Sequence, residues 1–273
     1  VHLPGEAPHT TDRDVDHPSS YRIYDYLLGG SFNFAVDRAF AKELLARVPW
    51  AREVARANRS FLIRVVRFAI SLGVKQFLDI GSGIVTSSRV DQVAHALDDS
   101  VRMVYVDSDP IAVAHAEVLA DGDPRAAALR ADPRDVPGVL GAPEVTGLLD
   151  LAQPVGLLMA KVLHMLPDED DPAGVVADYQ SAVVPGSVLA IAHATMEDVP
   201  DQVLAAAPMY RNSSEGMHDR PRSVVRSFFG DWDLVEPGVV FTSEWRPDDV
   251  ARTPADPGWS VFLAGVAVKR PAS

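Results

Sequence analysis

The stretch that most restricts what this chain can fold into is Val74 to Ser87, VKQFLDIGSGIVTS, an apolar run that ends in an acid and passes into Gly-x-Gly. Val74 to Ile80 reads as a buried strand, Gly81 to Gly83 as a tight turn, and Val85 onward as the start of a helix. Glycines at 81 and 83 leave no Cβ between backbone and ligand, so the turn suits a nucleotide or nucleoside.

Short apolar strands alternate with helical segments beyond it, which is the sequence sign of a parallel sheet covered on both faces. Strands are expected at Arg102 to Val106, Ala127 to Ala131, Val155 to Ala160 and Ser187 to His193, with helices starting near Ser87, Pro110, Pro133 and Asp171. The carboxylate run Asp168 to Asp171 suits the last of these N-termini. A further helical region spans about Pro200 to Phe229. Two strands then follow, Leu234 to Thr242 and Ser260 to Val268, joined by a Pro- and Asp-rich segment without a credible helix, so they are expected to pair antiparallel at the sheet edge.

Upstream of the first strand the pattern is helical. Ser19 or Ser20 can cap a helix carrying Tyr21, Tyr24, Leu27 and Leu28, which Gly29 and Gly30 stop. A second helix is expected over Val36 to Val48 and a third over Trp50 to Ser71, the latter with Arg56, Arg59, Arg64 and Arg67 on a solvated face. Residues 1–18 lack periodicity and read as a flexible tail, 19–73 as a helical cap segment, and 74–273 as the nucleotide-binding domain.

Composition narrows the partners. An apolar fraction of 47% and a charged fraction of 23% over 273 residues describe one large α/β domain with an added segment. A formal charge of −13 opposes a phosphate backbone, so nucleic acid is not expected. No apolar run is long enough for a membrane span and the N-terminus is polar, so a cytoplasmic protein is expected. The chain has no cysteine, which removes thiolate chemistry and Cys-held metals, and no metal site is read. A small molecule is the expected partner, with a second copy of the chain as the other one considered.

Three acids fall at successive strand ends. Asp79 precedes the glycine turn, Asp107 in VYVDSDP lies 26 residues after Gly81, where a carboxylate can accept both ribose hydroxyl hydrogens, and Asp132 in RADPRD is placed to accept from an adenine amine. Thr86 occupies the position of a third fingerprint glycine, which argues against a pyrophosphate-binding turn.

These motifs resemble the class I S-adenosylmethionine-dependent methyltransferases. More narrowly, YDYLLGGSFNFAVDR, ARANRSFLIRVVRF, VYVDSDPIAVAHA, LHMLPDEDDPAGVV, VPGSVLAIAHAT and LVEPGVVFTSEWRPD resemble a bacterial S-adenosyl methyltransferase family formerly treated as a domain of unknown function, from Pro18 to Val268. The resemblance implies a Rossmann-like seven-stranded α/β sheet, mostly parallel with the last strand antiparallel, and S-adenosylmethionine as cofactor. It implies that Gly81, Ser82 and Gly83 contact the amino-acid end and ribose, Asp107 the ribose hydroxyls, Ser108 or Asp109 the adenine edge, Asp132 the adenine amine, and Asp79 the methionine ammonium.

Methyl transfer needs in-line placement and, for an alcohol or amine, removal of a proton. His164, after the fourth strand, is the candidate catalytic residue; His193, at the end of the fifth, is a second. From the residues alone, a structural histidine held by backbone is the favoured reading for both, and more so for His193. Tyr24, Tyr26, Gly29, Gly30 and Asn33 read as a lid, with Arg59 at the same mouth and Met209 and Tyr210 as walls of an acceptor pocket; ordinary capping and core packing are the alternatives for all of them. Two rivals to an enzyme of this kind are a cofactor-binding protein without transfer and a nucleotide-dependent oxidoreductase.

Overall fold

The protein is described from a computed structural model covering residues 16–84, 90–211, 216–249 and 256–271. Three helices come first, α1 (Ser20–Leu28), α2 (Ala35–Arg47) and α3 (Ala51–Ser71). An alternating series follows: β1 (Gln76–Ile80), α4 (Val90–Leu97), β2 (Arg102–Asp107), α5 (Pro110–Ala120), β3 (Ala126–Arg130), α6 (Val136–Gly141), α7 (Pro143–Thr146), β4 (Gly156–Ala160), α8 (Pro172–Ala182) and β5 (Val188–Ala194). The chain then runs through α9 (Asp201–Arg211), α10 (Arg222–Ser227), β6 (Asp233–Leu234), β7 (Val240–Phe241) and β8 (Phe262–Val268).

The eight strands form one sheet in the order β3-β2-β1-β4-β5-β8-β6, with β7 also on β8. Strands β1 to β5 pair parallel, and β8 joins β5 antiparallel from Val188↔Val268 to Ala194↔Phe262. The order reverses between β1 and β4, so their C-terminal ends part and leave a crevice where ligands bind in open α/β sheets. Successive side chains on a strand face opposite ways, and both faces are filled. Leu78, Val104, Leu157 and Ile191 belong to one core, whereas Phe77, Met103, Leu158 and Ala190 belong to the other. Double-sided burial is why these strands are almost continuously apolar in sequence.

The expected strand Leu234 to Thr242 is two short ones, which makes the sheet eight-stranded rather than seven. Pro237 lacks the N–H a ladder needs and Gly238 turns in the left-handed region, φ 86°, so pairing on β8 stops after Leu234 and resumes at Val240. Helix α6 begins at Val136, not Pro133, because Asp135 is the cap and accepts from the Gly138 N–H at 3.0 Å. The expected helix start near Ser87 lies outside the described residues. Arg64 is not on a solvated face: it is buried, and its guanidinium donates to the carbonyls of Trp245 at 2.8 Å and Thr242 at 2.7 Å. A long side chain threaded to two carbonyls is invisible to helical periodicity.

Helices α1 to α3 build a third core, in which Ile23, Leu27, Leu44 and Val48 pack with Val203 and Ala206 of α9. Ser19 makes no side-chain cap on α1; Asp37 of α2 does that work, accepting from the N–H of Ser19 at 3.0 Å, from that of Phe34 at 2.8 Å and from Arg22 Nε at 2.7 Å. Among the described residues no helix is long and apolar enough to cross a membrane.

Candidate functional site

The turn after β1 is built by its neighbours. The N–H groups of Gly81 and Ser82 donate to the Val106 carbonyl at 2.8 and 3.2 Å, which continues the β1–β2 ladder into the turn. Gly81 has φ 71°, and a Cβ there would stand 2.5 Å from Cβ of Val162, so only glycine fits beneath the segment leaving β4. Asp107 closes the arrangement. Its Oδ2 accepts from the Gly83 N–H at 2.8 Å and its Oδ1 from the Asp109 N–H at 2.9 Å, tying the loop after β1 to the loop after β2. Asp107 is buried, and burial pushes its carboxyl up to about 6, against the pull of those backbone hydrogen bonds.

Three pockets lie in a row along the strand ends. The first is lined by Ser108, Asp109, Asp132 and Arg134, with Tyr21 and Met165 at one end. The middle one holds Asp79, Gly81, Ser82, Gly83, Asn58 and Arg59. The third is an apolar chamber between the cap and β4, lined among others by Leu27, Leu44, Val54, Val203 and Phe262. Tyr21 and Met165 border the first two; Ser20, Tyr24, Lys161 and Met165 border the last two. A molecule spanning the first two pockets would therefore end at the wall of the apolar chamber.

Each expected residue has a definite place in this row. Asp79 is buried in the middle pocket and, among the described residues, its side chain has no hydrogen-bond partner. Burial raises its carboxyl to about 7, with Arg59 pulling the other way and Asp107 adding to the rise. Asp132 is held by Arg134 through Oδ1 and Oδ2, and Arg134 also reaches Asp170 at 2.6 Å, so this acid enters the first pocket already paired. Hydrogen bonds from Arg134 hold the Asp132 carboxyl below the usual range. Asp107 borders none of the three pockets; it sits behind Gly83 and shapes the rim from there.

Of the segment YDYLLGGSFNF, Tyr24, Leu27 and Leu28 line the row, with Tyr21 and Ser20 beside them from the same helix, whereas Tyr26, Gly29, Gly30 and Asn33 do not. Tyr24 donates its hydroxyl to the Ala55 carbonyl at 3.0 Å, which anchors α1 on α3. Tyr26 stacks under Arg52, whose guanidinium carbon is 5.0 Å from the ring centroid. Gly29 ends α1 with φ 86°. Gly30 presses so closely on Asp25 that a Cβ would collide with its carboxylate, and Asn33 donates to that carboxylate at 2.8 Å. Met209 packs in the cap core, and the side chain of Tyr210 lies outside the described residues.

His164 lines the apolar chamber. It is buried, its Nδ1 has no hydrogen-bond partner, and burial holds its imidazole well below the ordinary histidine range, reinforced by His193, Lys161 and Arg220. His193 is fixed on both sides: Nδ1–H donates to the Ala194 carbonyl at 2.8 Å and Nε2 meets Arg220 Nη1 at 3.1 Å, so the ring is neutral with its proton on Nδ1. Burial brings it down to about 4. Arg220 also donates to the carbonyls of Leu163 and Leu166 and to Asp168, which locks the loop after β4 in place.

Lys161 escaped the sequence reading. It follows β4 with φ 73°, a left-handed backbone that is costly for a residue with a side chain, and it lies on the wall shared by the middle pocket and the apolar chamber. Its Nζ is 3.3 Å from the centroid of the Tyr24 ring, and burial brings its amine down to about 7. A single lysine after an apolar strand carries no spacing signal, so nothing in the sequence singles it out.

A family model described as S-adenosyl methyltransferase matches residues 6–270. The chain belongs to the S-adenosyl methyltransferase family. A solved methyltransferase candidate from Thermobifida fusca YX is 36% identical, with 94% of this chain and 97% of that one covered and a TM-score of 0.88. A DUF574 family protein from Streptomyces avermitilis is 34% identical, with 94% and 99% covered and the same TM-score of 0.88. Human N-acetylserotonin methyltransferase in complex with SAM, 13% identical over 91% of this chain and 62% of that one with a TM-score of 0.51, shares the fold. No curated protein matches.

The family's cofactor is S-adenosylmethionine, and the middle pocket fits it on two observations. The buried Asp79, whose carboxylate has no hydrogen-bond partner among the described residues, suits an ammonium, and Oδ1 of Asn58 in the same pocket, buried and likewise without a partner among them, suits a donor.

Proposed function

We propose that the chain transfers a methyl group from S-adenosylmethionine to a small-molecule acceptor held in the apolar chamber. The observation that carries this is the shared wall of Ser20, Tyr24, Lys161 and Met165, across which a donor in the middle pocket and an acceptor in the chamber come together. Asp79 would hold the methionine ammonium, Arg59 its carboxylate, Gly81 to Gly83 the sugar and amino-acid end, and Ser108, Asp109 and Asp132 the adenine. Asp107 would reach the ribose hydroxyls through the lone pairs that Gly83 and Asp109 leave unused. When bound, the cofactor supplies a methyl group on a positively charged sulfur, which an acceptor takes by direct displacement as the carbon–sulfur bond breaks. The protein's part is to place the acceptor in line and to keep water out, which an apolar chamber under the α1–α3 cap does.

Calorimetry with S-adenosylmethionine, S-adenosylhomocysteine and NAD tests the reading. The first two are expected to bind and NAD not; tight NAD binding with no response to the other two would sink it.

Affinity for S-adenosylhomocysteine is expected to rise between about pH 5 and pH 8. Asp79 and Asp107 are raised to about 7 and about 6, so in the lower half of that range the empty site holds protons that a ligand favouring carboxylates must expel. For each acid, affinity falls by up to about tenfold per pH unit below its value. The same two shifts make the empty fold less stable as pH climbs from the ordinary carboxylate range towards about 7, because the unfolded chain binds fewer protons there. A flat affinity profile would show that neither carboxylate faces the ligand's charge.

A further inference from the structure

The chamber's lining and the wall it shares with the cofactor site say what kind of acceptor it takes. Its walls are mostly aliphatic side chains and methionines with Phe262, and no aspartate or glutamate is among the described residues that line it. The ionisable groups among those residues are Lys161, His164 and Tyr24. Tyr24 has its hydroxyl committed to Ala55, and burial pushes it up to about 12. His164 is a weaker base than Lys161, since burial and the neighbouring His193, Lys161, Arg220 and His218 all oppose its protonation. From the cofactor side, Asp79 and Arg59 share the middle pocket with Lys161. Among the described residues Lys161 Nζ has no hydrogen bond and no ion pair; its neighbours are the ring faces of Tyr24 at 3.3 Å and Phe262 at 5.8 Å.

We propose that the chamber takes an apolar molecule bearing a weakly acidic hydroxyl, a phenol or enol, and that Lys161 removes the hydroxyl proton and holds the oxyanion that results. The inference rests on the methyl-transfer reading and names its acceptor class. The oxygen–hydrogen bond breaks, its electron pair stays on oxygen, and the proton forms a nitrogen–hydrogen bond on Nζ. A neutral pair thereby becomes an ion pair inside an apolar chamber, where each charge answers the other and neither is left buried alone. Burial that brings the amine down to about 7 leaves a large share of it unprotonated at neutral pH and ready to accept. An amine substrate fits poorly, because its cation would lie beside Lys161 with no carboxylate among the described residues of the chamber to meet it.

A naphthol tests this without a known acceptor, because its anion absorbs at longer wavelength than the neutral form. A phenol-class hydroxyl, with a pKa near 10, is neutral in water at about pH 8. The full chain is first saturated with S-adenosylhomocysteine and binding of that ligand is recorded by calorimetry. 2-Naphthol is then added at about pH 8, with absorption followed, and proton exchange measured by calorimetry in buffers of different ionisation heat. The expected result is the anion's spectrum with no net proton released, because the proton moves to Lys161. Lys161→Met is expected to lose the spectral change and weaken binding by about tenfold or more. Lys161→Arg, a permanent cation, is expected to keep the spectrum but release one proton to the buffer.

Naphthol that fails to bind, or that stays neutral when bound, overturns the inference. So does an unchanged spectrum in Lys161→Met, or proton release by the wild type equal to that of Lys161→Arg. If S-adenosylhomocysteine itself does not bind, the methyl-transfer reading falls instead, and the naphthol spectrum taken without it still reports on Lys161. Should Lys161→Met not fold, the wild type and Lys161→Arg decide the question by proton release.

Discussion

Asp107→Ala is expected to lose binding of S-adenosylmethionine and S-adenosylhomocysteine by about a hundredfold or more while the fold persists. Two losses combine. The carboxylate that would accept from the ribose disappears, and each hydrogen bond to a charged acceptor is worth about 1.5–3 kcal/mol, so a pair accounts for at least that factor. The Gly83 and Asp109 N–H groups also lose the partner that holds them at 2.8 and 2.9 Å, so the rims of the loops after β1 and β2 are no longer tied together. Stability changes less than affinity, within about 3 kcal/mol, because removing a buried charge offsets part of the cost of leaving two N–H groups unpaired. Asp107→Asn, which keeps one acceptor oxygen, is expected to fall between the two. Calorimetry for affinity and thermal unfolding for the fold check both; normal binding in Asp107→Ala would show that the ribose is held elsewhere.

Asp37→Ala is expected to lower stability by about 3–5 kcal/mol, the range for breaking a buried ion pair from one side. Arg22 and Asp37 meet at 2.7 Å with almost no exposure of either side chain. Without Asp37 the guanidinium keeps a bond to the His17 carbonyl and the ring face of Phe34 but loses the buried carboxylate that faces it. The N–H groups of Ser19 and Phe34, at the starts of α1 and α2, lose their acceptor as well. For a chain of this size the loss corresponds to a fall of about 6–10 °C in Tm. Proteins open locally as well as globally, so limited proteolysis between α1 and α2 should report the loss even where the sheet's own transition barely moves. The paired change Arg22→Met with Asp37→Leu is expected to recover most of it, because two apolar side chains of similar bulk need no partner. If Asp37→Ala melts like the wild type, the cap is held by its apolar core alone.

Much of the fold was legible in the chain because its signals are local. A strand buried on both faces must be apolar at every position, and QFLDI and VLAIAHA are close to that. Asp109 before Pro110 marks the start of α5, and its carboxylate does accept there, from Ile111 at 2.7 Å and Ala112 at 3.2 Å. The antiparallel pairing of β8 with β6 and β7 could be expected from the missing helix between them, whereas its insertion next to β5 could not. Pro237 was equally visible, yet its effect depended on β8 lying alongside, since a break in a ladder exists only where there is a partner strand.

The site divided differently. Asp79, Gly81 to Gly83, Asp107 and Asp132 could be picked out from strand ends and turns, because a parallel sheet brings the C-terminal ends of its strands to one edge whatever the details. Which of them face a cavity could not. Asp107 stands behind the loop it braces and Arg64 is threaded into the core, both through partners on other elements, while Asp132 is paired with Arg134 two residues on, which Asp170 from the loop after β4 also holds.

The sequence by itself therefore determined the parallel sheet, the glycine turn and the row of acids that mark a nucleoside-type cofactor, since each follows from the periodicity and chemistry of adjacent residues. Only the tertiary structure decided that the cap closes over that turn, that Asp37 rather than Ser19 holds the start of α1, and that Lys161 stands unpaired between cofactor pocket and apolar chamber. Those are consequences of packing between segments up to two hundred residues apart, and the burial that sets a carboxyl's or an amine's affinity for protons exists only once that packing has formed.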